Sequence, residues 1–282
     1  MEKTSCGFKF PGENIFLHVL FYSDDIVRLV YSTGEQIPAS TVAVIAGAEE
    51  IEGKFEDGIL QAGSLKIEVD SKSLGAKIYN NTGELLSEDL IVDPFKPALT
   101  KKLLWEQGIF GNGEKYTWLN QLGTYTANYN SDVLFHHDIH SPLIKEMHTA
   151  IPFYVGAAPG KAYGIYFDNS YRTEFDFASS IPDRITFSAS GGLLDYFFIS
   201  GSSISEVVSR YRMITGTPPL PSKKFLGYHQ SRYSYETREE VLAVAEKMRH
   251  HDIPGDVLYL DIHFLDAYKV FTIHRERFHG FK

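Results

Sequence analysis

The sequence predicts a mainly β protein that changes character near its end: a two-sheet sandwich comes first, then a strand, a helix and a second strand. Three observations predict it. Short apolar or alternating runs bounded by turn residues follow one another from Asn14 to about Ile199, with no sustained helical period before residue 200. A proline-rich break, Gly216-Thr217-Pro218-Pro219-Leu220-Pro221, then interrupts the chain. Beyond it, Val257 to Ile262 is apolar on both faces, the pattern of a parallel strand covered by helices.

Taken in order, Ile15–Leu20 and Ile26–Tyr31 flank Ser23-Asp24-Asp25 and read as a hairpin. Asp57-Gly58 is a turn signal inside 52–60. Leu65–Asp70 alternates apolar and polar as a half-solvated strand does, and Ala76–Tyr79 runs into the turn cluster Asn80-Asn81-Thr82-Gly83. Strands return at Ile151–Gly156, Ala162–Asp168, Arg184–Ala189 and Leu194–Ile199. The first helix spans roughly Ser203–Thr215, capped by Ser203 or Ser205, with Val207, Val208, Tyr211 and Ile214 expected on one face. Past the proline break, Phe225–Gln230 reads as a strand. Thr237-Arg238-Glu239-Glu240 matches a capping box, and Val241, Ala245 and Met248 repeat as a buried helical stripe.

Composition excludes several functional classes. The 282 residues carry a net charge of −9 with Lys and Arg scattered, which speaks against nucleic acid or an anionic membrane as partner. No run approaches the ~20 apolar residues of a membrane span, and the N-terminus has no apolar signal core. The single cysteine, Cys6, allows no internal disulfide and fits a reducing compartment. These features read as a soluble, cytoplasmic protein. Aromatic content is high, with 17 Tyr and 20 Phe; aromatics suit pleated, half-buried surfaces and equally suit the faces of sugar rings.

Two places attract a functional reading. The stretch from Gln107 to His148 lacks periodicity, and a long stretch of that kind inside a compact domain is usually functional or disordered. Its aromatics and mixed charges argue against disorder. The second place is Asp261, delivered after the apolar run beginning at Val257, where a (β/α) barrel enzyme presents residues to substrate. An aspartate at a strand end is also an ordinary turn former.

Gly227–Val241 (GYHQSRYSYETREEV) and Asp252–Thr272 (DIPGDVLYLDIHFLDAYKVFT) closely resemble glycoside hydrolase family 31, in particular its bacterial α-glucosidases. Phe110–Lys115, Asn130-Ser131-Asp132, Ile151–Gly156, Gly164–Phe177, Leu194–Gly201 and Thr215–Pro221 follow the same family pattern in the same order. The resemblance implies a mutarotase-like β-sandwich over residues 1–220, with a substrate loop at about 107–148. It also implies the first βαβ unit of an incomplete (β/α)8 barrel over 221–282. It further implies retaining hydrolysis of α-linked glucosides or oligosaccharides, without a cofactor, by an aspartate nucleophile and an aspartate acid/base. Both lie in barrel strands downstream of Lys282, so no catalytic residue is assigned and the 282 residues alone are expected to be inactive. Asp132, Asp261 and Ile262 are the residues onto which substrate binding carries over. Similarity decays after the LDIHFLD run, where Ala267 and Ile273-His274 depart from the family pattern.

Other constellations are weaker. His136-His137-Asp138-Ile139-His140 with His148 lacks the spacing of a zinc site, so no metal is assigned. Gly111-Asn112-Gly113-Glu114-Lys115 lacks the spacing and ending of a phosphate loop. An alternative reading is a non-catalytic carbohydrate-binding or interaction module, whose exposed apolar strands would favour self-association or assembly with the barrel remainder.

Overall fold

The computed structural model describes residues 1–4, 6–50, 52–130 and 147–280. Two compact units divide the chain, Met1–Thr217 and Pro218–Lys282.

The first unit is a sandwich, as its sequence predicts. Among the described residues, one sheet has eight antiparallel strands in the spatial order Glu2–Thr4, Gly7–Pro11, Phe16–Ser23, Ile26–Ser32, Asp195–Gly201, Lys161–Phe167, Phe153–Ala158 and Gly108–Gly111. The other has nine: Tyr125–Asn128, Thr173–Phe177, Arg184–Ala189, Ala98–Lys102, Leu85–Asp93, Ala76–Asn80, Leu65–Val69, Ile59–Ala62 and Lys54–Glu56. Between them lies one large core that includes Leu17, Leu29, Ile67, Leu99, Tyr154, Phe175, Phe187 and Tyr196. The eight-stranded sheet is also covered on its outer face, by helix α1 (Ile204–Thr215) and by Val44, Ala46 and Ala48 of the 33–50 segment. Burial on both faces explains why its central strands read as unbroken apolar runs rather than alternating ones.

Local chemistry sets the turns. Asp57 and Gly58 both adopt positive φ, 51° and 83°, the type I′ geometry that an Asp-Gly pair favours between twisted strands. Ser203 caps α1 by accepting from the Glu206 amide, and Val207 and Ile214 are buried against the sheet. Tyr211 joins them, its ring stacked on Phe153 at 4.0 Å. Val208 departs from the expected face and is 38% exposed. The buried set therefore follows 207, 211 and 214, which one helical face holds, and position 208 falls about 100° away from 207.

Among the described residues two buried ion pairs lie inside the sandwich. Arg28 forks onto Asp195 across adjacent strands, Nε to Oδ1 at 2.9 Å, and its Nη2 also donates to the Pro38 carbonyl at 3.1 Å. Lys101 pairs with Asp89 directly opposite it in the nine-stranded sheet, and Asp89 Oδ2 accepts from Tyr196 Oη at 2.9 Å and from the Ala76 amide at 3.0 Å. Both partners are essentially closed to solvent, at 3% and 0% of side-chain exposure. The strands that carry them, 85–93 and 98–102, do not announce themselves by alternation, because their inward positions hold this pair.

The second unit holds helix α2 (Arg238–His250) and a parallel two-strand ladder of His229–Gln230 with Val257–Leu258. The strand–helix–strand order is as expected, but the strands are two residues each, and Lys223–Leu226 is a 3-10 turn where a strand start is predicted. The expected buried stripe of α2, Val241, Ala245 and Met248, is only half-buried, as is Val244 beside it. Among the described residues the ladder has no third strand, so neither of its strands is flanked on both sides. The Thr237 hydroxyl accepts from the Glu240 amide at 3.2 Å, while the Glu240 carboxylate reaches back to the Glu236 amide at 2.7 Å rather than to Thr237 itself.

Candidate functional site

The second unit places Asp261 and Ile262 consecutively, past the C-terminal end of the Val257–Leu258 strand. Tyr259 continues the ladder for one more bond, its amide donating to the Gln230 carbonyl at 3.0 Å, and its hydroxyl meets His229 Nδ1 at 2.8 Å. Ser234 Oγ then holds the Leu260 carbonyl at 3.0 Å. The backbone turns at Asp261, whose φ of 61° lies in the left-handed region that aspartate tolerates better than most residues. Asp261 is exposed and Ile262 is 41% exposed, so a carboxylate and an apolar side chain are presented side by side at the strand end. Such a pair can accept two hydroxyls of a polyol and cover an apolar face beside them.

Asp266, five residues on, serves its own turn: its amide donates to Thr272 Oγ1 at 3.0 Å and its carbonyl accepts from the Lys269 amide at 3.0 Å. Glu236 meets Arg277 Nη1 at 3.1 Å.

Asp132 lies outside the described residues, as do His136, His137, Asp138 and His140. The flanks of their stretch are ordered by a polar network. The 107–148 stretch contributes a strand to each sheet, Gly108–Gly111 to one and Tyr125–Asn128 to the other. Between them Gly111, Asn112 and Gly113 all take positive φ. Gly113 is required there twice over, because a Cβ would also stand 2.4 Å from the Thr149 carbonyl oxygen. Asn112, fully buried, donates to Thr126 Oγ1 at 2.7 Å and accepts from Asn128 Nδ2 at 2.6 Å. Lys115 Nζ donates to Asn128 Oδ1 at 2.9 Å. Amides and hydroxyls in place of apolar positions explain why this stretch shows no periodicity.

Sequence reasoning missed one feature. Where the 125–128 and 173–177 strands end, a cleft of about 400 Å³ opens between Tyr129-Asn130 and Asn169-Ser170-Tyr171. Its signal was present as two short runs, Asn128-Tyr129-Asn130 and Asn169-Ser170-Tyr171, each joining a tyrosine to hydrogen-bonding side chains.

Residues 17–176 match the glycosyl hydrolase 31 N-terminal galactose mutarotase-like domain, and residues 218–282 match the glycosyl hydrolases family 31 TIM-barrel domain. The chain is 34% identical over 289 residues to alpha-glucosidase 2 of Bacillus thermoamyloliquefaciens, a match that takes in 99% of this chain and 36% of that protein. It is 30% identical over 183 residues to the alpha-glucosidase of Saccharolobus solfataricus, covering 65% of this chain and 26% of the relative. Among solved structures, a Flavobacterium johnsoniae GH31 dextranase complexed with isomaltotriose superposes with a TM-score of 0.81 at 25% identity, over 99% of this chain and 36% of that one. The glucosidase II alpha subunit shares the fold, with a TM-score of 0.78 at 21% identity over 94% of this chain. The chain thus spans roughly a third of the length of the relatives it matches end to end. With both domain patterns met in order, and the first covering more than half of its length, this chain belongs to glycosyl hydrolase family 31.

Proposed function

We propose that these 282 residues are the N-terminal part of a retaining α-glucosidase that hydrolyses terminal α-glucosidic bonds of oligosaccharides. The observation that carries this reading is the alignment of 99% of the chain with a bacterial α-glucosidase. The residue boundaries of the reading are 1–220 for the sandwich and 221–282 for the start of the (β/α)8 barrel. Asp261 would accept hydroxyls of the terminal glucose as a charge-assisted pair and Ile262 would line its ring. Asp132 would reach the same sugar from the 107–148 loop. Retaining hydrolysis needs two carboxyls ~5 Å apart, one attacking the anomeric carbon and the other protonating the leaving oxygen. Neither falls on a motif matched within these residues, so the reading assigns the chemistry to further barrel strands and binding to this portion. No cofactor enters, and a cytoplasmic setting is in keeping with the single cysteine.

The direct experiment is an assay of the purified 282-residue chain on a chromogenic α-glucoside. No turnover is expected; turnover abolished by a mechanism-based glucosidase inhibitor would overturn the assignment. A second reading, a non-catalytic carbohydrate-binding module, is favoured by the sandwich core being complete within Met1–Thr217. Calorimetric titration with glucose or maltose tests it, and heat-silent titration would discard it.

A further inference from the structure

The cleft at the end of the sandwich has the makings of a saccharide site. The described residues that line it all belong to the Met1–Thr217 unit. The register that pairs Asn128 with Thr173 sets Tyr129-Asn130 beside Ser170-Tyr171 where the ladder ends. Tyr129 and Tyr171 are each 56% exposed. Tyr171 is nonetheless held in place. Its amide donates to Asn169 Oδ1 at 2.8 Å, and Asn169 Nδ2 is anchored on the Gly191 and Leu193 carbonyls at 2.9 and 3.0 Å. Its ring rests on Gly191 and Gly192, so closely that a Cβ at Gly191 would stand 2.8 Å from the ring. An aromatic ring seated on a glycine pair and still half open to solvent is a rigid platform with little entropy left to lose on binding.

The rest of the wall is chemically narrow. Asn130 offers its amide group, its Oδ1 taking the Ala150 amide at 2.9 Å, and Ala150 and Pro152 supply apolar surface. Thr173, 1% exposed, has a hydroxyl without a hydrogen-bond partner, a group whose desolvation nothing in the fold offsets. Among the described residues no charged side chain lines the cleft. A neutral ligand with apolar C–H faces and many hydroxyls meets aromatic rings, amides and a hydroxyl there. A volume of about 400 Å³ suits a mono- or disaccharide.

We propose that this cleft is a second saccharide-binding site, with Tyr171 as its stacking platform and Thr173 and Asn130 as hydrogen-bonding groups. The sugar as ligand class is shared with the proposed function, and to that extent the inference rests on it. The residues that form it, however, belong to the Met1–Thr217 unit and do not include Asp261.

Saturation-transfer NMR and calorimetry on the whole 282-residue chain, with maltose and isomaltose as probes, test it. Tyr171→Ala is expected to weaken binding about tenfold and the near-isosteric Thr173→Val about threefold. Tyr171→Phe, which keeps the ring, is expected to bind within twofold of the native chain. Binding of neither sugar would overturn the proposal, and so would an affinity unchanged in both Tyr171→Ala and Thr173→Val. Loss of binding in Asp261→Asn with none in the Tyr171 and Thr173 variants would also overturn it, while favouring the glucose subsite of the proposed function. Circular dichroism of each variant reads the fold separately, and Thr173→Val alone decides the matter if Tyr171→Ala does not fold.

Discussion

Lys101 and Asp89 show at the scale of single residues how a buried charge can hide a strand. Each stands where an apolar side chain is expected, and each is satisfied by the other across the ladder, with Tyr196 and the Ala76 amide completing the carboxylate's bonds. Removing one partner leaves the other charge buried and alone. Lys101→Ala should therefore cost about 3–5 kcal/mol, read as a fall in the urea midpoint of the sandwich, whereas replacing both partners with apolar residues should cost much less. The buried tyrosines make a second residue-scale prediction. Loss of solvent raises the hydroxyls of Tyr31, Tyr154 and Tyr196 well above their ordinary range, and takes Tyr163 to about 12. An acid whose folded pKa exceeds its unfolded one favours the fold fully below the unfolded value and less as pH rises through the folded one. Stability should thus be level up to about pH 10 and decline above it. Absorbance at 295 nm should then show these phenols ionising together with loss of the circular dichroism signal. Their ionisation in an intact fold would contradict the assignment of burial.

At the scale of elements, legibility followed hydrophobic period. The hairpin at Asp24-Asp25, the Asp57-Gly58 turn, the strands at 153–158, 161–167, 184–189 and 195–201 and both helices were readable because apolar period, caps and turn residues agree there, while the strand at 173–177 was not read. The strands at 85–93 and 98–102 were not, for the reason Lys101 and Asp89 provide. Those at 108–111 and 125–128 were hidden by the amide network of Asn112 and Asn128. In the second unit the period was read correctly, yet the ladder is two residues long, since a parallel strand is stabilised by neighbours on both sides and helices over its faces. The two helix caps have similar geometry in contrasting settings. Ser203→Ala and Thr237→Ala should each remove about 1 kcal/mol. The first should be a small fraction of a well-packed sandwich's stability. The second should show as clear loss of α2 helicity, because no residue of α2 is fully buried. Equal amide exchange in α2 before and after Thr237→Ala would contradict this.

For the molecule as a whole, the candidate site was legible only through motif. Composition spoke against nucleic acid and gave no enzyme class; nothing in charge or period distinguishes Asp261 from a turn aspartate, and its left-handed backbone agrees with either role. What motivates the substrate-binding proposal is order, with a sandwich pattern over 17–176 followed by a barrel pattern over 218–282. The central claim is that this chain supplies the N-terminal third of a working α-glucosidase. The most direct measurement replaces the aligned portion of Bacillus thermoamyloliquefaciens alpha-glucosidase 2 with these 282 residues and follows release of glucose from maltose. The account predicts turnover of α- but not β-glucosides, and a fall in kcat/KM of about 10- to 100-fold when Asp261→Asn removes the charge-assisted pair. A folded chimera without α-glucosidase activity, or one indifferent to Asp261→Asn, would contradict it.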